Sequence, residues 1–350
     1  MNNNKLKIYT DLSLIPQDLV HTFMLIPFLG KYNEDPNDPD NGRFDEFELK
    51  GKDYIEIEAK PENADYFLLP FGYSFKKEHQ IVILNFLEIA KKYNKTTLLF
   101  YNADDNSPIN HPQTIIYRTS LNSSTRNKNV FSLPGWSVDF FKYSQQIIDK
   151  ELCNKIKPSV SYCGYATIYN DTTIQKIKNT IKILLKKQVL NNEMEAKKLR
   201  GKCCSILMNN NAIQTNFIFR DSFWASEVKD KNQARLEYVN NMLLSTYSLV
   251  ARGGGNFSYR FYEVLSLGRI PVFINTDSVL PFENLIDWKK QLIWIEKTDI
   301  KNIDKHLLSF HTNKTANEII AIQNSNRTLY ETFLSPLGFF KTITNQLLKL

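Results

Sequence analysis

The sequence predicts an α/β protein built from two parallel-sheet domains, and three observations predict it. The chain has 350 residues, more than one ordinary core takes and comfortable for two domains of middling size. Short apolar runs alternate with helical patterns through the first half and again through the second. The stretch Arg252-Gly253-Gly254-Gly255 follows a run of strand formers and leads at once into a helical pattern. A cleft between two such domains is the expected ligand site.

Taken in order, strands are expected at KLKIY from Lys5, DYFLLPF from Asp65, TTLLFY from Thr96 and TIIYRT from Thr114. Between the second and third, KKEHQIVILNFLEIAKKY sets apolar residues at helical spacing and completes a strand, helix, strand unit. The stretch NEDPNDPDNGRFDEF from Asn33 is rich in Pro, Asn and Asp and reads as a surface excursion. Its prolines break the ligand spacing of a calcium loop. From Asp171 to Lys202, lysines lie opposite a stripe of Ile and Leu, as in a surface helix joining two domains. A basic amphipathic helix also suits a peripheral contact with anionic lipid. The second set of strands is CSILMN from Cys204, SLVA from Ser248, IPVFI from Ile270 and QLIWIE from Gln291. The expected division is an N-terminal domain over 1–170, a connecting helix over 171–202, a C-terminal domain over 203–318 and a helical end over 319–350.

Composition narrows the partners. Seventeen Tyr and 23 Phe mark a globular chain rather than a disordered one. A formal charge of +7 favours anionic ligands or an anionic surface, although so modest an excess also serves solubility. With no basic tail and no RNA-binding aromatic signature, nucleic acid is not an expected partner. The four cysteines, Cys153, Cys163, Cys203 and Cys204, have neither metal-site nor disulfide spacing, which fits a reducing compartment. Cys203 and Cys204 in CCSILM read as small hydrophobes in a buried strand. The N-terminus lacks the long apolar core of a signal peptide, and no run of about 18 apolar residues is present. The expectation is a soluble, cytoplasmic protein, at most peripheral to a membrane.

The segment SLVARGGGNFSYRFYEVLSLGRIPVFINTD reads as strand, turn, helix, strand. Three glycines permit positive φ and a close backbone approach that side chains would block. Asn256 or Ser258 can cap the helix, whose N–H groups and dipole form an anion site suited to diphosphate. Gly268 closes the helix. Arg260 and Glu263 stand three apart on one side of it. Arg260 and Arg252 can face phosphates, and Glu263 can accept two hydrogen bonds from vicinal ribose hydroxyls. The same pair also suits a surface ion pair worth little. A rival reading takes Gly253, Gly255 and Ser258 as a Gly-x-Gly-x-x-small turn, with Asp277 standing 22 residues after Gly255, as in a dinucleotide-binding oxidoreductase.

At this point the residues resemble a family. Arg252 and Gly253, then Ser258, Arg260 and Glu263, then Gly268 and Pro271, then Asp277, Pro281, Phe282 and Trp288 follow one another as in the C-terminal signature of exostosin-type glycosyltransferases. Upstream, ENADYFLLPFGYSF is similar to the family's N-terminal strand, and TTLLFYNADDN to the strand and acidic loop after it. Here Asn102-Ala103-Asp104-Asp105 stands where members commonly place an Asp and Gly pair. The membrane anchor typical of animal and plant members is also missing from the sequence.

The resemblance implies two Rossmann-like domains facing across a cleft, the arrangement called GT-B. It implies an inverting enzyme that moves a sugar from a nucleoside diphosphate, uridine diphosphate by analogy, to a glycan acceptor in building or decorating a polysaccharide. A transferase-like protein that binds nucleotide or glycan without chemistry is the other alternative. Inversion needs a base on the acceptor side, and Asp104 and Asp105 at a strand's C-terminal edge are its first candidates. An Asx turn is the structural reading of the same pair. His79, an exposed residue opening its helix, and Asp139, a helix cap, are weaker ones. The leaving diphosphate is expected to be held without a required metal by Arg252, Arg260 and Arg220, the last on a loop after the first strand of the second half. Gly253, Gly254, Gly255, Asn256, Phe257, Ser258 and Tyr259 complete the donor site. Trp288 is expected to pack with Phe282, Phe71 to lie in the core, and Tyr73 or Phe75 to stack on an acceptor sugar.

Overall fold

The structure, a computed structural model, describes residues 4–32, 38, 40–144, 153, 156–167, 192–222 and 230–350. Residues 33–37 and 39 of the acidic stretch and the expected helix over 171–191 lie outside the described residues; the end of that stretch is not a surface excursion, since Phe44 and Phe47 are buried and Asp45–Lys50 is helical. The chain forms two compact units, one of Met1–Phe140, Asp277–Trp288 and Arg327–Leu350, the other of Phe141–Thr276 and Lys289–Asn326. Each is built on a parallel sheet, which is the α/β class with two Rossmann-like domains that the sequence predicts. Among the described residues no helix is long and apolar enough to cross a membrane.

The first unit's six strands are β1 (Leu6–Tyr9), β2 (Ile55–Ile57), β3 (Tyr66–Leu68), β4 (Thr97–Tyr101), β5 (Thr114–Arg118) and β6 (Val130–Ser132). They lie in the order β2-β1-β3-β4-β5-β6, all parallel. A parallel sheet is covered on both faces, so its strands run apolar without alternation, and every residue of β4 is buried. Side chains still alternate between faces. Leu98 and Phe100 join a core with Leu6, Ile8 and helix Pro336–Leu347, while Leu99 and Tyr101 join another with Ile83, Phe86 and Ala90 of helix α1 (Lys77–Lys92). Phe71 is fully buried, as expected, and Trp288 is buried with its indole N–H on the Pro281 carbonyl at 2.9 Å.

The second unit's strands are β7 (Ser159–Tyr165), β8 (Gln214–Arg220), β9 (Tyr247–Val250), β10 (Ile270–Asn275) and β11 (Ile293–Glu296), in the order β11-β10-β9-β7-β8. Its helices include α2 (Asn192–Met208), α3 (Lys231–Leu243) and α4 (Tyr259–Ser266). Further on come α5 (Ile303–Thr312), α6 (Ala316–Leu329) and α7 (Pro336–Leu347), the last of which belongs to the first unit.

Three expectations change. CSILMN is not a strand. It ends α2, where Arg200, Cys203, Cys204 and Leu207 fall at helical spacing and bury one face. A boundary at 170 would cut β7 from its sheet, since β7 pairs with both β8 and β9. The segment after Ile319 is helical as expected, but its last part packs into the first unit, with Phe340 stacked on Phe47 at 4.3 Å.

The closest approach in the second unit is at Gly201, where an added Cβ would stand 1.8 Å from the Thr167 carbonyl oxygen. Backbone cannot yield as a side-chain tip can. Gly201→Ala is therefore expected to destabilise by about 3 kcal/mol through overpacking, read as a lower midpoint in chemical denaturation with unchanged slope.

Candidate functional site

In the second sheet the strand order reverses between β7 and β9, and in such sheets ligands bind beyond the carboxyl ends of the strands at that switch point. β9 runs directly into Ala251, Arg252 and the three glycines. The glycine turn therefore stands at the switch point of its sheet.

Its construction differs from the expected one. None of Gly253, Gly254 and Gly255 has positive φ. The Gly253 N–H donates to the Phe257 carbonyl at 2.8 Å and closes the loop, and Arg252 Nη2 donates to the Gly254 carbonyl at 2.7 Å. A Cβ on Gly253 would meet Phe257 O at 3.6 Å, an ordinary contact. Neither backbone strain nor crowding within the chain calls for glycine at Gly253. Ser258 occupies the N-cap position without a side-chain capping bond, and Asn256 is buried with its Oδ1 accepting from the Thr276 hydroxyl at 2.6 Å. Phe257 and Tyr259 meet edge to face at 5.4 Å. The positive-φ glycine is Gly268, at 62°, where the helix ends. Its N–H bonds to Leu265 O and that of Arg269 to Val264 O, the paired bonds of a Schellman ending.

Glu263 and Arg260 are not a surface pair. Glu263 is 6% exposed; its Oε2 accepts from the Tyr238 hydroxyl at 2.6 Å, and Arg235 Nη1 stands 3.6 Å from Oε1. Arg260 donates from Nε to the same Tyr238 oxygen at 3.1 Å and from Nη2 to the Cys163 carbonyl. Its guanidinium lies 4.4 Å from the centre of the Tyr162 ring and 5.4 Å from that of Tyr238. Burial alone would make Arg260 easier to deprotonate, but Tyr238 and Tyr162 outweigh it and hold the group charged. Tyr238 moves far upward, first by burial. Arg260 thus braces the carboxylate's partner on α3 and the end of β7.

Arg200, from α2, is buried beside Tyr162 and Arg260, and burial lowers its pKa. Arg200 thus stands by Arg260, and Arg235 by Glu263. Spacing alone could have flagged Arg235 and Tyr238, three apart in a helical pattern; Arg200 sits in a stretch read as a linker. Arg220 is not on a loop but ends β8, where it pairs with Glu237. Asp277, which the dinucleotide reading needs, has φ 68° and accepts from the N–H and hydroxyl of Ser124.

In the first unit Asp104 is exposed beyond β4, while Asp105 is tied down. Its Oδ1 accepts from Ser107 N–H and Oγ, both at 2.8 Å, and its Oδ2 from Tyr101 at 3.1 Å. This is the Asx turn. Arg118 locks the loop through the carbonyls of Asp105 and Ser107. Burial works against ionisation of Asp105, but the Ser107 and Tyr101 bonds prevail and keep it more acidic than usual, while burial and Asp105 push Tyr101 up to about 12. His79 is not exposed: it is buried and bridges Ser74 and Asp18 at 2.9 and 3.0 Å. Asp139 forms a two-pronged pair with Arg327 at 2.6 and 2.7 Å. Tyr73 is buried against His111, and Phe75 is exposed.

Comparison with known proteins assigns this architecture to a class. Residues 156–310 match the family model of the Exostosin GT47 domain, covering most of the second unit and the whole switch-point site. Over that span the chain resembles the exostosin glycosyltransferases. It is 33% identical to Exostosin-1 of Drosophila melanogaster over 103 residues, 29% of this chain and 13% of that protein. It is 33% identical to the Exostosin-1 homolog of Caenorhabditis elegans over 100 residues, 29% of this chain and 25% of that protein. The chain thus matches a quarter or less of these relatives' lengths. Among solved structures, a glycosyltransferase from Rickettsia africae ESF-5 aligns over 99% of both chains with TM-score 0.42 and 12% identity.

The acidified Asp105 carries a pH prediction. Its folded pKa lies below the unfolded value, so its stabilisation is present above about pH 4 and is lost as pH falls through the folded value. Asp105→Asn is expected to flatten the acid limb of a stability-against-pH curve measured by urea unfolding, leaving the neutral region lower and level.

Proposed function

We propose that this protein is an inverting glycosyltransferase that moves a sugar from a nucleoside diphosphate, uridine diphosphate by family analogy, to a hydroxyl of a glycan acceptor. The observation that carries the reading is the buried Glu263 carboxylate, one turn inside a helix that opens on the glycine turn at the sheet's switch point. A carboxylate offers about four acceptor positions, a chemistry that suits the two vicinal hydroxyls of a ribose. The glycine turn lets a diphosphate come against backbone near the start of α4. Arg252 and the guanidinium groups behind it supply the positive field in which a leaving diphosphate gains stability, with no metal required by the proposal.

Transfer then takes one displacement. The acceptor oxygen attacks the anomeric carbon as the bond to diphosphate breaks on the opposite face, and a base takes the hydroxyl proton. Asp104 is the better candidate base, because the Asp105 carboxylate is engaged three times over and acidified. The buried free thiols suit a reducing compartment such as the cytoplasm; burial raises Cys203 to about 12 and Cys204 further.

Calorimetry with uridine diphosphate, its 2′-deoxy analogue and NAD tests the reading. The parent is expected to bind uridine diphosphate about tenfold tighter than the deoxy form, the worth of one hydrogen bond to a charged group, and NAD not measurably. Glu263→Gln should lose most of that preference. Tyr238→Phe should lose part of it, since the carboxylate loses the hydroxyl that donates to its Oε2. Equal affinity for both nucleotides in the parent, or tight binding of NAD, would sink the assignment.

A further inference from the structure

Helix α3 has two working faces. One carries Arg235, Tyr238 and Met242 toward Glu263 and the core. The other lines a separate groove against the edge strand β8, a cavity of about 420 Å³ walled by residues 215–218 of the strand and Gln233, Glu237, Asn240, Asn241 and Leu244. No residue of the glycine turn, and neither Arg260 nor Glu263, takes part in it.

The groove's chemistry is specific in kind. Asn216, Gln233, Asn240 and Asn241 present carboxamides, each with a donor and an acceptor end. Asn241 is 6% exposed; its Nδ2 donates to the Asn216 carbonyl at 2.8 Å, and its Oδ1 has no hydrogen-bond partner among the described residues. Leaving such a buried acceptor unused is costly. The one carboxylate, Glu237, is neutralised by Arg220, so the lining carries little net charge. β8 is an edge strand with polar residues at Gln214, Thr215 and Asn216.

A uniformly charged ligand would find no counter-charge here, and an apolar one would strand four carboxamides. A chain of neutral hydroxyls fits: each hydroxyl both donates and accepts, as the carboxamides do. We propose that the groove between β8 and α3 is a second saccharide-binding site, taking a neutral oligosaccharide apart from the donor site. This holds whether or not the turn at Arg252 takes nucleotide. Because α3 reaches Glu263 from its other face, the two sites share one rigid element.

Saturation-transfer NMR on the full chain with cellotriose, maltotriose and triacetylchitotriose tests it. At least one is expected to bind saturably in the millimolar range, and uridine diphosphate should not displace it. Gln233 and Asn240 are exposed, so the double variant Gln233→Ala/Asn240→Ala should fold normally. It is expected to lose about tenfold in oligosaccharide affinity, with uridine diphosphate affinity unchanged. Three results overturn the proposal: no saturable binding of any of the three sugars at about 10 mM, displacement by uridine diphosphate, or undiminished binding in the double variant. An extended peptide that pairs with β8 and excludes the sugar would likewise overturn it.

Discussion

The second unit depends on a positive charge held inside protein. Arg260 sits between two tyrosine rings with its nitrogens on the Tyr238 hydroxyl and the Cys163 carbonyl. A guanidinium taken out of water is tolerated only when its donors are matched and charge lies near. Glu263 supplies the charge through Tyr238, one hydroxyl serving both. Around this contact the sheet has to make room: an added Cβ on Gly164 would stand 2.7 Å from Arg260 Nη2. Three residues of β7, one of α3 and two of α4 are thereby tied to a single geometry. Such a network aims a carboxylate without spending a flexible surface side chain on the task.

How much of this was legible follows the same physics. Strands such as Thr97–Tyr101 and Ile270–Asn275 announce themselves because a parallel sheet buries both faces. β7 does not, because its buried positions include serines. Ser161 bonds the Ser248 hydroxyl and Ser159 the Thr246 N–H, so polar side chains are satisfied inside the sheet and hydropathy misses them. β8 fails for another reason, since an edge strand is half open and reads as Gln-Thr-Asn before its apolar part. CCSILM deceived by being short: six apolar-looking residues do not distinguish a strand from the last turns of a helix begun at Asn192.

The site divides similarly. Ser258, Arg260 and Glu263 were readable because they lie on one helix at fixed spacing, and the turn before them because glycine is rare in this chain, at 12 residues. Tyr162, Arg200 and Tyr238 were not, since three different elements bring them together. Arg260 was found but given the wrong neighbours: sequence spacing tells which face of a helix a residue shares, not whether that face meets ligand or sheet. His79 shows the same limit. It opens α1, where residues are commonly exposed, yet the loop at Ser74 and the chain at Asp18 close over it.

The edge of the first sheet works by the opposite rule from that of the second. There the cation, Arg118, is spent wholly on loop carbonyls, and the nearby carboxylate of Asp105 is spent on an Asx turn and Tyr101. Groups so committed are poor proton acceptors, because each bond to the ionised form makes protonation harder. Their effect is to fix the loop's course, and fixing it leaves the preceding residue exposed. Asp104 is in that position, a carboxylate on a rigid loop with its oxygens in water. Adjacent carboxylates on one loop thus divide the work: Asp105 sets its course, and Asp104 stands exposed on it.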